Sequence, residues 1–276
     1  MKANTMNQMA NQTAKPHDWG NISETDKSKY FVDYLDTATA QGEMQRYKRR
    51  TYQLLGIAPG SHILDIGCGT GDDAIALASL AGPEGRVVGL DYAQPLIDEA
   101  RQRAANSSLA VEFTAGDVHA LDFPDDSFDG CRADRVFMHL RDREKALSEM
   151  IRVTKPGGRI VVREPDWDTL IVDSPDRDLT RSILDRHFDR VILNGWAGRE
   201  LFRQFRLAGL DSVEIADTST LVLTDFATAN GFYGLEAAAE AMGESAAGWI
   251  EGLKRADRDG IFFSAVTGFT AVGVKP

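Results

Sequence analysis

The sequence predicts an α/β fold in which helices cover a doubly wound, mostly parallel sheet of seven strands. From residue 62 onward, short apolar runs rich in β-branched residues alternate with stretches of helical spacing. Two further strands, near residues 212–215 and 262–274, close the chain. Such alternation places parallel strands side by side, with their helical connections packed on the two faces.

The region before the first strand is expected to contain a tail and a lid. Residues 1–16 are rich in Asn, Gln, Lys and Met without any period, which predicts a mobile tail. Residues 17–58 are expected to form a helical lid over the sheet edge, with helix from Ser28 to Leu55 and with Tyr47 among its aromatic side chains. The alternative is that these tyrosines pack against the sheet as core. Residues 59–276 would form the main domain.

A glycine-rich turn follows the first strand, His62 to Ile66. Its glycines, Gly67, Gly69 and Gly71, precede a helix that starts at Asp72. Glycine in such a turn permits positive φ and lets backbone amides approach a ligand closely. The second strand ends at Asp91, and an acidic residue at this position can accept both hydroxyls of a ribose. The glycine-rich turn and Asp91 together predict a nucleoside-cofactor site.

The spacing of the glycines narrows the choice of cofactor. A dinucleotide site uses G-x-G-x-x-G, whereas this turn has G-x-G-x-G followed by Asp72 and Asp73. Two carboxylates would repel a pyrophosphate but not an ammonium and a sulfonium. Here the sequence resembles the class I S-adenosylmethionine-dependent methyltransferases, whose first motif is matched from Asp65 to Gly71 and whose second is matched by Asp91.

The resemblance continues in order along the chain. A third strand, Ala110 to Phe113, leads into Ala115-Gly116-Asp117-Val118, and residues 123–129 match the usual turn into the fourth strand. A helix over 146–153 ends at the turn Lys155-Pro156-Gly157-Gly158 before strand Arg159 to Arg163. Helices are expected near 176–193 and 199–208, and a helical insertion at about 225–259 before the last strand.

The resemblance implies a Rossmann-like sheet with its last strand antiparallel and S-adenosylmethionine as the cofactor. In such sheets the ligand binds at the carboxyl ends of the strands. Gly67 and Gly69 would face the methionine part, Asp91 the ribose and Asp117 the adenine amino group, with the adenine between Leu96 and Val118. Asp91 could instead cap the following helix, and Asp117 could be a turn residue. The cofactor-binding residues expected are Gly67, Cys68, Gly69, Asp91, Tyr92, Leu96, Gly116, Asp117, Val118 and Ala133.

Catalysis of methyl transfer mainly requires positioning, because the cofactor supplies the electrophile. A general base helps only when the acceptor must lose a proton. His139 and Asp166 are weak candidates for such a base, with His187 and His17 weaker still. His139 could equally make a structural hydrogen bond, and Asp166 could lie in a solvated turn after the fifth strand.

Four aromatic residues are candidates for the acceptor pocket. They are Tyr30, Tyr34, Trp167 and Trp196. Aromatic residues at helical spacing are also frequent in protein cores, which is the alternative.

Composition limits the class of partner. The formal net charge of −11, from 42 acidic and 31 basic residues, is unlike the basic surface of a nucleic-acid-binding protein. Two cysteines, Cys68 and Cys131, suggest neither disulfides nor a zinc site, and no metal is expected. With no apolar run of about 20 residues and no signal-peptide pattern, a cytoplasmic location without membrane association is expected.

The sequence thus predicts a methyltransferase that uses S-adenosylmethionine and modifies an oxygen, nitrogen or carbon atom of a small molecule, such as a quinone-like ring. Two alternatives stay open. One is a protein that binds the cofactor without methyl transfer, as a cyclase or a regulator. The other is a nicotinamide-dependent dehydrogenase, against which the glycine spacing argues. The oligomeric state is not predicted.

Overall fold

In the computed structural model of the chain, residues 25–276 are described, with side chains from Lys29. Seven strands form one sheet in the order β3-β2-β1-β4-β5-β7-β6, and β7 runs antiparallel to both neighbours. The predicted fold class is therefore confirmed. The strands are β1 (His62–Ile66), β2 (Arg86–Asp91), β3 (Val111–Ala115), β4 (Phe128–Asp134), β5 (Thr154–Val172), β6 (Asp211–Leu223) and β7 (Ser264–Val274).

Helices pack around this sheet and extend it at the carboxyl edge. Amphipathic spacing explains their packing: in the helix 197–207, for example, Leu201 and Phe205 are buried while the polar positions face solvent. Within residues 25–276 the α-helices are α1 (Thr25–Thr39), α2 (Gly42–Leu55), α3 (Asp72–Ala81), α4 (Gln94–Ala104), α5 (Arg143–Val153), α6 (Arg177–Val191), α7 (Ala197–Leu207), α8 (Phe226–Tyr233), α9 (Leu235–Met242) and α10 (Glu244–Arg258).

The fifth strand is longer than the sequence pattern predicts. β5 was expected to end at Arg163, but it continues to Val172 because it pairs with β7, with Glu164 opposite Phe269 and Asp166 opposite Thr267. Asp166 therefore lies inside a strand, and the prediction of a solvated turn there is wrong. Antiparallel pairing with a distant segment leaves no local signal in the sequence of the strand itself.

The segment expected as one helical lid forms two helices with different surroundings. α2 packs on the sheet, where Tyr47 is 1% exposed and lies under the Arg163 guanidinium at 4.1 Å from its ring centroid. Tyr47 is thus a core residue, as the alternative held. α1 instead lies beside the glycine turn, where Leu35 Cδ1 is 3.0 Å from the position of a Cβ on Gly69. The predicted tail, residues 1–16, and His17 lie outside the described residues.

Among the helices of residues 25–276, none is both long enough and apolar enough to span a bilayer.

Candidate active site

A cavity of about 870 Å³ opens at the carboxyl ends of the parallel strands. Ligand pockets typically measure roughly 300–1,000 Å³, so this one has room for a nucleoside cofactor and a further small molecule. It lies between the glycine turn, the ends of β2 and β3, the loop after β4, and α1. Of the site residues predicted from the sequence, the cavity lining includes Gly67, Cys68, Gly69, Asp91, Tyr92, Gly116, Asp117, Val118, Tyr34 and His139.

The glycine turn adopts a left-handed backbone conformation that residues other than glycine rarely adopt. Gly67 and Gly69 have φ of 67° and 53°, in the left-handed region. A Cβ on Gly67 would also lie 2.3 Å from Val136 Cγ2. The amides of Gly67 and Cys68 both donate to the carbonyl of Leu90, which fixes the turn to the end of β2. A side chain at Gly67 would therefore displace Val136, so this tight turn at the cavity wall requires glycine.

Asp91 is held by backbone amides at the end of β2. Its Oδ2 accepts from Gly69 N at 2.9 Å, and its Oδ1 accepts from Ala93 N at 2.9 Å. Burial raises the pKa of this carboxyl, while the amide hydrogen bonds oppose the rise. Each oxygen keeps lone pairs for another donor, so the carboxylate suits the two hydroxyls of a ribose. The cap position of α4 belongs to Ala93, so Asp91 is not the helix N-cap.

Asp117 pairs with a residue that the sequence analysis did not single out. Its Oδ1 accepts from the His119 backbone N at 2.9 Å and lies 2.6 Å from His119 Nδ1. Although burial raises the pKa of Asp117, these bonds lower it overall. Both residues line the cavity beside Val118, the side on which an adenine was expected.

The loop after β4 is fixed by a fully buried carboxylate. Glu164 accepts from the amides of Val136 and Phe137, both at 2.7 Å, and from Met138 N at 3.3 Å. Burial raises the pKa of Glu164 to about 7, despite the amide bonds that lower it. An acidic residue within an apolar strand was the only sequence signal for this role. The bonds orient the chain from Val136 to the short 3-10 turn at Phe137–His139.

A buried charge cluster lies under the glycine turn. The Arg132 guanidinium reaches Asp65 at 2.8 Å, Asp134 at 3.0 Å and Asp73 at 3.3 Å, while Lys48 pairs with Asp73 at 2.7 Å. Burial raises the pKa of Asp65 to about 6 in spite of Arg132. For Asp73, burial is outweighed by Arg132 and Lys48, which keep its pKa low. The cluster joins α2, β1, α3 and β4 and so supports the turn from below.

Two predicted cofactor residues do not line the cavity. Leu96 is 1% exposed and packs with Phe31 and Ala93, because α1 covers it. Leu96 therefore does not line the cavity, and its expected place beside the adenine stays a prediction. Ala133 is completely buried inside β4, where it pairs with Ile66 and Val162.

Three aromatic candidates for the acceptor pocket also lie away from the cavity. Trp167 stacks on Phe188 with ring centroids 4.5 Å apart. Trp196 is 53% exposed on the surface, and Tyr30 packs edge-on against Phe31. Of the four candidates, only Tyr34 reaches the cavity.

The candidate bases are separated by the fold. Asp166 is buried and forms an ion pair with Arg199, so it is neutralised away from the cavity. His187 is buried against Phe188, and burial lowers its pKa to about 4. His139 alone of these three lines the cavity. Its function as a base stays a prediction.

Comparisons with known proteins identify the family of the chain. A family model for a methyltransferase domain matches residues 57–192. An uncharacterized 37.1 kDa protein in transposon TN4556 of Streptomyces fradiae is 37% identical over 246 residues, which is 87% of this chain and 70% of that protein. A demethylmenaquinone methyltransferase of Bacillus cereus is 31% identical over 161 residues, covering 58% of this chain and 67% of that protein.

A solved structure shows the same fold. The YcgJ protein of Bacillus subtilis superposes with a TM-score of 0.62 at 19% identity, covering 84% of this chain and 98% of that one. Alignments with curated menaquinone methyltransferases span from 56% to 67% of their lengths. These matches show the family: the chain belongs to the class I S-adenosylmethionine-dependent methyltransferases, enzymes that use this cofactor as the methyl donor.

Proposed function

We propose that the acceptor is a ring compound of quinone-like size, methylated at an oxygen, nitrogen or carbon atom. The observation that carries this proposal is the extent of the cavity. Beyond the glycine turn it continues past Tyr34, Val136, Met138 and Leu140, an aromatic and apolar lining that suits a flat ring. The chain is similar to demethylmenaquinone methyltransferases, which are named for a quinone acceptor, and this similarity supports the same class of acceptor.

The chain acts by binding and orienting its two ligands. Bound S-adenosylmethionine supplies an electrophilic methyl group. The glycine turn would hold the methionine part of the cofactor and Asp91 its ribose. Asp117 and Val118 would contact its adenine. Positioning of this kind contributes roughly 7–11 kcal/mol to lowering a barrier. His139 would accept a proton only where the acceptor is a hydroxyl that must ionise.

We also propose a cellular compartment and a class of partner for the enzyme. Cys68 and Cys131 are buried free thiols whose pKa is raised by burial, which suits a reducing compartment such as the cytoplasm. The acidic net charge of −11 argues for a small-molecule partner rather than a nucleic acid.

The test is formation of S-adenosylhomocysteine from S-adenosylmethionine with a set of ring acceptors that includes demethylmenaquinol analogues. We expect turnover with ring acceptors and none with non-aromatic amines of similar size. Asp91→Ala, assayed below saturation, should reduce turnover. Turnover of the amines alone would contradict the ring proposal. Cofactor binding without product from any acceptor or cell extract would favour the cyclase or regulatory alternative.

A further inference from the structure

Arg135 occupies a strained position at the wall of the cavity. It follows β4 directly and has a backbone φ of 58°, which residues other than glycine rarely adopt. Its backbone N donates to the Arg163 carbonyl at 2.9 Å, and the next residue, Val136, is bound by Glu164. The fold therefore over-determines this conformation, a pattern that is typical of functional positions.

The guanidinium of Arg135 lacks the partners that a buried cation usually has. Its side chain is 13% exposed, and its Nε has no hydrogen-bond partner among residues 25–276. The closest carboxylate oxygen, Asp134 Oδ1, is 3.9 Å from Nε, too far for a hydrogen bond, and it has no hydrogen-bond partner among residues 25–276; Asp134 binds Arg132 through its other oxygen, Oδ2. A guanidinium carries five donors in a fork that matches an oxyanion. A bound anion would accept the hydrogen bonds that the Arg135 guanidinium does not make within the protein.

Charge is divided between the two sides of the cavity. The glycine-turn side carries four acidic lining residues, Asp72, Asp73, Asp91 and Asp117. Asp72 pairs with Arg103, and Asp73 pairs with Arg132 and with Lys48, which also lines the cavity, so Asp91 and Asp117 are the two that have no lysine or arginine partner among residues 25–276. The loop after β4 contributes the cations Arg135, Arg141 and Lys145. Lys145 pairs with Glu149 at 3.4 Å. Of the two acids on this loop, Asp142 accepts from the Lys145 amide, and Asp134 binds Arg132 through Oδ2 while its Oδ1 lies 3.9 Å from Arg135 Nε. A cationic cofactor suits the acidic side, which leaves the basic side for a ligand of negative charge.

We propose that Arg135 binds an oxyanion of the methyl acceptor, either a carboxylate or an ionised ring hydroxyl. This inference rests on the proposed function and specifies the charge of the acceptor. The carboxylate of the cofactor's methionine part is a second possible source of the same chemistry, because Val136 packs directly against Gly67. The experiment separates the two sources.

The test uses the full chain saturated with S-adenosylhomocysteine and two probes of the same shape, 2-naphthoate and the neutral 2-naphthamide. Wild type should bind the anion about ten- to hundredfold more tightly than the amide. Arg135→Met should remove this preference while keeping the affinity for S-adenosylhomocysteine. The control, Arg206→Met, changes an exposed arginine of α7 that does not line the cavity and should keep the preference.

A second variant, Arg135→Gly, keeps the test valid if Arg135→Met fails to fold. Arg135→Gly relieves the left-handed strain, so it should raise the melting temperature while also losing the preference for the anion. The proposal is overturned if both variants keep the preference. It is also overturned if they lose affinity for S-adenosylhomocysteine but not for methylthioadenosine, which lacks the carboxylate, because Arg135 would then serve the cofactor. Failure of wild type to bind S-adenosylhomocysteine at all would instead contradict the proposed function.

Discussion

Asp91 shows how one side chain can organise a cofactor site before the cofactor arrives. Its two backbone hydrogen bonds, from Gly69 N and Ala93 N, join the glycine turn to the start of α4. The carboxylate is thereby held in one orientation, with lone pairs left for a ligand. Preorganisation of this kind lowers the entropic cost of binding.

Replacing Asp91 by Ala should weaken binding of S-adenosylhomocysteine by roughly ten- to hundredfold, because hydrogen bonds to a charged acceptor contribute about 1.5–3 kcal/mol. Titration calorimetry would measure the change. Asp98→Ala, which alters an exposed residue of α4, serves as the control and should bind normally. An unchanged affinity in folded Asp91→Ala would remove this carboxylate from the site.

Glu164 gives a pH dependence that can be measured. Its pKa rises from 4.5 to about 7 on folding, chiefly through burial. Between these values the unfolded chain loses the proton and the native chain keeps it, so stability falls as pH rises. The shift corresponds to roughly 3 kcal/mol. Urea unfolding at pH 4.5 and pH 7.5 should show a loss of stability in wild type that is smaller by about this amount in Glu164→Gln, where the raised pKa of Asp65 still contributes.

Glu149 supplies a control of opposite sign. Hydrogen bonds from Arg152, and to a lesser extent from the Leu121 amide, lower its pKa to about 2. Its stabilisation is present above the unfolded value of about 4.5 and is lost as pH falls toward 2. Equal pH profiles for wild type and Glu164→Gln would contradict the assigned burial of Glu164.

At the scale of elements, α1 and α2 perform different tasks although they are adjacent in sequence. α2 packs on the sheet through Tyr47 and contributes Lys48 to the buried charges. α1 contacts the glycine turn through Leu35 and is tied to α4 by the ion pair of Asp36 with Arg103 at 2.8 Å. Its Tyr34 meets Phe232 of α8 edge-on at 5.6 Å. These contacts support a lid formed by α1 alone.

Deleting residues 1–40 should therefore weaken binding of S-adenosylhomocysteine while leaving a cooperatively folded chain, since α2 and its core contacts remain. Calorimetry and thermal unfolding would measure both properties. Deletion of residues 1–16, the segment expected as a tail, should leave the affinity unchanged. A chain without residues 1–40 that binds as tightly as the full chain would contradict the lid hypothesis.

At the scale of the whole molecule, the buried charges around Arg132 connect distant segments. The guanidinium is 1% exposed and serves three carboxylates, while its Nε donates to Thr51 Oγ1 at 2.8 Å. Residues from α2 to β4 thus share one electrostatic unit under the cofactor site. Such a cluster adds little net stability when complete, but removing one partner leaves charges buried without compensation.

Arg132→Met should lower the free energy of unfolding by about 3–5 kcal/mol, because Asp65, Asp73 and Asp134 would lose their shared cation. Urea denaturation would measure the loss. Arg206→Met, at an exposed position of α7, should change stability by less than about 0.5 kcal/mol. A similarly small effect of Arg132→Met would show that the cluster is hydrated rather than buried.

Local patterns in the sequence determined the fold class and most of the cofactor side of the site. The short apolar strands, the glycine turn and the acidic end of β2 each depend on residues close together in the chain. Positive φ at Gly67 and the position of Asp91 therefore follow from sequence alone. The identification of Gly67, Cys68, Gly69, Tyr92, Gly116, Asp117 and Val118 as cavity residues belongs to the same class of prediction.

Tertiary structure alone decided the acceptor side and, on the cofactor side, the burial of Leu96 and Ala133. Antiparallel pairing with β7 carried β5 through Asp166, and packing of α1 on α4 closed off Leu96. The amides of the loop after β4 donate to Glu164, which lies about 30 positions further along the chain. The lack of a hydrogen-bond partner for Arg135 Nε depends on the packing of distant segments in the same way. Contacts between such distant residues have no spacing that a local pattern can express, because they are set by how the elements pack.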